Sequence, residues 1–118
     1  MHQKALSGRE GEELASRFLQ KIGYTIIAKN IRTRYGEIDL IAIDGDTTVF
    51  VEVKKRSSFF FGRPEEAVNR KKLLKIEKVG QYFIQNKPNL PKNLRIDVIA
   101  IDSSQIPAII THIKNASA

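Results

Sequence analysis

The chain has 118 residues, 42% of them hydrophobic and 28% charged, and its 20 Lys and Arg against 13 Asp and Glu leave a net charge of +7 and a pI near 9.8. That is the length and balance of a single domain over residues 1–118, and it excludes collagen-like, disordered and disulfide-scaffold classes, the last because cysteine is absent. The longest aliphatic run, Val98-Ile99-Ala100-Ile101, is far below the ~20 residues of a membrane helix, and no secretory signal opens the chain, so a cytoplasmic location without a membrane partner is expected.

Taken in chain order, Ser7-Gly8-Arg9-Glu10 carries the capping-box spacing and predicts a helix from Gly8 to Ile22. At 100° per residue Leu14, Ala15, Phe18, Leu19 and Ile22 share an arc about 140° wide, and Gly23 supplies the stop. Three strand patterns follow, Tyr24–Ala28, Gly36–Ile43 and Thr47–Lys54, with Asp44-Gly45-Asp46 marking a tight hairpin between the last two. Lys55 to Pro64 reads as a basic loop whose Phe59-Phe60-Phe61 suits either base stacking or packing beneath the loop. A second helix is expected from about Pro64 to Gln85. Its stripe of Val68, Ile76, Val79 and Phe83 has Lys72 at its centre, with Lys71, Lys75 and Lys78 on an adjoining face. Strands at Arg95–Ile101 and Ala108–Ile113 complete an α-β-β-β-α-β-β order. This is an α/β fold in which the meander is antiparallel and the helix between the third and fourth strands makes that pair parallel.

The hairpin holds the chemistry. Alternation puts Val49, Val51 and Val53 on one face and Phe50, Glu52 and Lys54 on the other, while Asp39 lies in phase with Ile41 and Ile43. If Gly45 and Asp46 are the central turn residues, Asp44 pairs with Thr47 and Asp39 lies opposite Glu52, Cβ atoms ~5 Å apart; with Asp44 and Gly45 central the two are diagonal, ~7–8 Å apart. Such carboxylates repel each other unless positive charge stands between them. Lys54 supplies part of it, and Mg²⁺ or Mn²⁺ would supply the rest, polarising a phosphoryl oxygen and acidifying bound water. Acid, then acid-x-Lys, is thus a phosphodiester-hydrolysis pattern; the plainer reading is an ion pair on an exposed sheet face.

Other residues are weighed around that pair. Glu12, at the edge of the first helix's apolar arc, can look toward the sheet, and Glu37 is expected to pair with Lys54. Lys72 either snorkels past its neighbours or points over the sheet toward a phosphate. Lys55, Arg56, Lys71, Lys72 and Lys75 are the expected nucleic-acid contacts, since clustered cations gain affinity by releasing phosphate counterions. Residues 38–44 are nearly repeated at 96–102, but no acid-x-Lys follows Asp97, which is expected to cap or to pair with Arg95. His2 and His112 are isolated in the sequence, so zinc is unsupported.

Gly11-Glu12-Glu13-Leu14-Ala15, Gly23-Tyr24, Asn30-Ile31-Arg32, Gly36-Glu37-Ile38-Asp39-Leu40-Ile41-Ala42, Val49-Phe50-Val51-Glu52-Val53-Lys54-Lys55-Arg56, Glu66-Ala67-Val68 and Arg95-Ile96-Asp97-Val98 together resemble the YraN family of small bacterial proteins. The resemblance covers essentially the whole chain. That family is described as predicted endonucleases, similar to archaeal Holliday junction resolvases and to the restriction-endonuclease-like superfamily. It implies a restriction-endonuclease-like core and Mg²⁺- or Mn²⁺-dependent cleavage of DNA, branched DNA included. Asp39 would be the metal-binding acid, Glu52 the second acid, Lys54 the lysine and Glu12 the first-helix acid. Where the superfamily has a proline before the first acid, this chain has Ile38. A two-fold junction would suit a homodimer. The alternative is a nucleic-acid-binding module on the same fold with weak or no cleavage.

Overall fold

The computed structural model describes residues 6–56 and 69–116. In chain order they form α1 (Gly8–Lys21), β1 (Thr25–Thr33), β2 (Gly36–Asp44), β3 (Thr47–Arg56), α2 (Arg70–Ile84), β4 (Asn93–Asp102) and β5 (Ile109–Ile113). The strands make one sheet in the order β1-β2-β3-β4-β5, antiparallel except for the parallel β3–β4 pair that the intervening helix requires.

Each helix takes one face of the sheet. α1 opens on the expected capping box, Ser7 Oγ accepting from the Glu10 N–H and Glu10 Oε1 from the Ser7 N–H. It closes at Gly23, whose φ of +98° lets the Gly23 and Tyr24 amides donate to the carbonyls of Gln20 and Leu19. Ala15 and Leu19 of α1 pack on Leu40, Ala42, Val49, Val51, Val53, Ile99 and Ile101. Ile22, assigned to the apolar arc by periodicity, is 49% exposed, because it is the cap residue where the helix has already ended. On the opposite face Ile76 and Val79 of α2 pack on Ile38, Ile41, Phe50 and Ile96. The approach is close at Gly80, where a Cβ would overlap the Phe50 ring.

Several boundaries differ from those the sequence suggests. α2 begins at Arg70 rather than near Pro64, because Asn69 has extended backbone and its side chain accepts from the Lys72 N–H, fixing the N-terminus there. The expected first turns from Pro64 to Val68, and the Phe59-Phe60-Phe61 stretch, lie outside the described residues. Lys55 and Arg56 belong to β3 and not to a loop, since their strand continues in register with Ile101 and Asp102. β1 carries a bulge between Ile26 and Ala28 and runs on past Ala28 to Thr33. Among the described residues no helix is long and apolar enough to cross a membrane.

Candidate active site

The β2–β3 turn sets the register. Asp44 pairs with Thr47, leaving Gly45 at φ +59° and Asp46 in the centre, as a type II′ turn demands. The ladder then runs through Ile43↔Thr48, Ala42↔Val49, Ile41↔Phe50 and Leu40↔Val51. One step further it would place Asp39 opposite Glu52, but there β2 leaves the ladder.

The cause is a break in β2 at Asp39. Leu40 and Ala42 pack under α1, whereas Ile38, an even number of residues away, packs under α2 beside Ile41. Strict alternation would forbid this. On β1 the pairs Lys29↔Leu40 and Ile31↔Ile38 bracket Asn30, which is held in the left-handed region at φ +53°. The Val53 N–H, released from the ladder, donates at 2.7 Å to Asp39 Oδ2. A side-chain carboxylate thus replaces a main-chain acceptor, and this draws Asp39 in beside Glu52.

Glu52 is 8% exposed, on the face that carries Phe50. Burial, then a hydrogen bond and charge repulsion from Asp39, push its carboxyl up from 4.5 to about 7, against the pull of Lys72 and Lys54. Lys72 Nζ stands 3.4 Å from Glu52 Oε2, an ion pair without hydrogen-bond geometry. Among the described residues Oε2 is the buried side-chain polar atom left with no hydrogen-bond partner. A buried oxygen without a donor is costly unless something positive reaches it. Two hard oxygen donors, one of them unsatisfied, fit a divalent cation of the Mg²⁺ type, which takes one or two carboxylates and keeps several waters.

The expected site residues divide into two sets. Asp39, Glu52, Lys54 and Lys72 come together, Lys72 by pointing over the sheet rather than snorkelling out. Glu12 is half-buried on α1, the helix of the other face. Among the described residues no three His, Asp or Glu side chains gather as a metal-holding group, so Glu12 does not complete one with the pair. Lys55 also lies on the α1 side, its stem where a Cβ of Gly11 would sit and its Nζ beside Gly8. Arg56 is half-buried at the end of β3, and Lys71 and Lys75 are exposed on α2. Glu37 pairs with Arg32 at 3.6 Å and not with Lys54, because both lie at the outer end of the β1–β2 hairpin.

A second polar cluster, which spacing along the chain does not reveal, closes the other end of the sheet under α1. Asp97 is fully buried and accepts from Arg95 Nε at 2.9 Å, the Asn115 N–H at 2.9 Å and Tyr24 Oη at 3.1 Å, with His112 Nε2 at 2.8 Å. Arg95 also donates to Asp44 at 3.0 Å. Burial alone would raise the Asp97 carboxyl, but the bonds from His112, Arg95 and Asn115 outweigh it and hold it well below the usual carboxylate range. The expected Arg95–Asp97 pair is therefore present. His112, isolated in sequence, is not isolated in space: it bonds to Asp97 and meets Phe18 and Tyr24 edge to face.

A family model described as "Uncharacterised protein family UPF0102" matches residues 11–101. A UPF0102 protein of Alkaliphilus oremlandii is 50% identical to the chain over 111 residues, covering 92% of this chain and 95% of its own. One from Persephonella marina is 41% identical over 94% of this chain and 92% of its own. One from Caldicellulosiruptor bescii is 54% identical over 80% of each.

Proposed function

The chain belongs to the uncharacterised protein family UPF0102, and on the strength of its carboxylate pair we propose that it is a metal-dependent endonuclease hydrolysing phosphodiester bonds, with DNA the first substrate to test. The observation that carries this reading is the buried Glu52 Oε2, unsatisfied, beside a second carboxylate and two lysines. Burial and the neighbouring Asp39 carboxylate make that arrangement costly when both acids are ionised, against the pull of the two lysines. It is intelligible as a site built for a cation and an anionic substrate.

Asp39 and Glu52 would hold Mg²⁺ or Mn²⁺. Bound, the ion supplies Lewis-acid polarisation of the phosphoryl oxygen and a more acidic water. Asp39 is positioned by the Val53 amide, which fixes the direction of its second oxygen. Lys54, close enough to act on Glu52, orients the attacking water through its ammonium donors. Lys72 offers its charge to the negative phosphoryl group as water, giving up a proton to solvent, adds to phosphorus and one P–O ester bond breaks, the alcohol leaving with a proton from solvent. With a DNA substrate the working location is the cytoplasm, and a homodimer is the form that would suit a two-fold junction.

Calorimetric titration of the protein with Mn²⁺, alongside nicking of plasmid and four-way-junction DNA, tests the reading. Asp39→Asn and Glu52→Gln should each abolish both heat and nicking. Mn²⁺ binding that survives in both variants overturns the metal site. A second reading, a nucleic-acid-binding module with weak or no cleavage, is favoured by one observation: two acids converge among the described residues, not three. Wild-type protein that binds DNA with steep salt dependence yet never nicks it with either metal would establish that reading instead.

A further inference from the structure

Beyond the carboxylates, the tip of the β1–β2 hairpin and the outer face of α2 meet in a cluster that the mechanism does not use. The Tyr35 ring carries two cations, Arg34 Cζ 5.0 Å and Lys78 Nζ 4.7 Å from its centroid. Arg34 Nη2 donates to Tyr35 Oη at 2.8 Å, and Tyr82, 48% exposed, meets Tyr35 edge to face at 5.8 Å.

The cluster is held in place. Thr33 Oγ1 accepts from the Tyr35 N–H at 3.0 Å and donates to the Gly36 carbonyl at 3.1 Å, which ties the tip into a turn. Tyr35 itself packs against the core under α2. Arg34 and Lys78 are both exposed, and among the described residues neither has a carboxylate partner. Arg17, Lys29, Arg32 and Lys114, also exposed, each have one, while among the described residues Lys71 and Lys75 have none; what sets Arg34 and Lys78 apart is the ring they share.

This difference matters because a cation–π contact fixes a side chain without neutralising it. Two full charges are pre-ordered on one ring, so little side-chain entropy remains to be lost when an anion arrives. Lys78 lies six residues beyond Lys72 on α2, about 9 Å along the helix axis at ~1.5 Å per residue. A nucleic acid strand rises ~3.4 Å per nucleotide, so along the axis the two lysines are offset by two or three nucleotide steps, with Lys78 about 120° round the helix from Lys72.

We infer that Arg34 and Lys78, braced by Tyr35, are a second contact point for the phosphate backbone of a nucleic acid strand that runs along α2 from the carboxylate pair to the hairpin tip. This rests on the nuclease reading for what happens at the other end of the strand, but the contact stands without cleavage. It assigns the chain a footprint longer than the scissile phosphate and places the hairpin tip within it.

The test is the salt dependence of binding to a fluorescein-labelled duplex DNA, followed by anisotropy in EDTA so that no cleavage occurs. Wild type, Arg34→Ala/Lys78→Ala and, as a control on the other helix, Arg9→Ala/Lys21→Ala are compared between 50 and 200 mM salt. Loss of two phosphate contacts should reduce the slope of log K against log salt by about 1.8, with the control unchanged. A double-variant slope equal to wild type, an equal loss in the control, or a wild type with no salt-sensitive affinity each overturns the inference. Nicking and Mn²⁺ titration on the same wild-type preparation separate the two claims. Cleavage with an unchanged slope sinks the second contact alone, and a reduced slope without Mn²⁺ binding sinks the nuclease reading alone.

Discussion

Replacing Glu52 by Gln should make the metal-free protein more stable at pH 8 while leaving it nearly unchanged at pH 4. The folded state holds the Glu52 proton to about pH 7, whereas the unfolded chain releases it near its ordinary 4.5. Between those values the folded state binds more protons than the unfolded one, so stability falls as pH rises, and it is flat above about 7. At ~1.4 kcal/mol per tenfold difference in proton affinity, the fall amounts to about 3 kcal/mol. Gln has the shape of the protonated acid and never ionises, so its profile lacks that descent. Urea unfolding in EDTA at intervals from pH 4 to 8 reads the difference directly from the midpoints. Parallel profiles for wild type and Glu52→Gln would refute the argument, since they would mean that burial and Asp39 do not perturb this carboxyl. Adding Mn²⁺ at 100 times its Kd at pH 8 should return about 2.7 kcal/mol to the wild type and nothing to the variant, because the ion binds the ionised pair that the variant lacks.

Two further substitutions examine the scaffold. Asp97→Asn should cost about 2–3 kcal/mol in urea unfolding at pH 7, because it removes the buried one of the two carboxylates that hold Arg95, leaving Asp44. The folded Asp97 carboxyl is depressed, so its contribution is present above pH ~4 and lost as pH falls through the folded value; the variant should show a correspondingly shallower acid limb. Gly80→Ala should lower the thermal midpoint despite a gain of ~1 kcal/mol in helix propensity, because the added methyl enters the space of the buried Phe50 ring. A raised midpoint would mean that α2 can lift from the sheet at no cost.

Much of the site's position was legible because local chemistry and tertiary structure agree there. Gly at the first central turn position chooses the Asp44↔Thr47 register, whose extension points at residues 39 and 52 although the ladder itself ends at Leu40↔Val51. Lys72 was conspicuous as a charge in an apolar stripe, which is how a residue looks when its partner is a buried acid on the sheet beneath. Other features had no local signature. The break at Asp39 depends on a left-handed Asn30 across the sheet, and alternation counted along one strand is blind to it. Pro64-Glu65-Glu66 is as good a helix start on paper as Asn69, and capping geometry decides between them. Tyr24, Arg95 and His112 converge from three distant segments. The available signal was Arg95-x-Asp97 at the start of an otherwise aliphatic strand, which pointed to Arg95 but not to Tyr24 or His112.

The repeated segments at 38–44 and 96–102 show how environment decides what an aspartate does. Asp39 and Asp97 both follow isoleucine and precede an aliphatic run ending in Ile-Asp. Asp97 meets Arg95, Tyr24, His112 and the Asn115 amide, so every oxygen is satisfied and its charge is balanced within the fold. Asp39 has one main-chain donor and, beside it, another carboxylate. The first arrangement stores stability and leaves nothing to bind. In the second, burial and the neighbouring Asp39 raise the energy of ionised Glu52, an excess that a bound cation would offset. On the proposed reading that pair costs stability, and the closed network around Asp97 is one of the elements that would offset it. If that division of labour holds, Asp97→Asn should lower stability while leaving the affinity for Mn²⁺ unchanged wherever the variant is folded. Glu52→Gln should do the reverse on both counts.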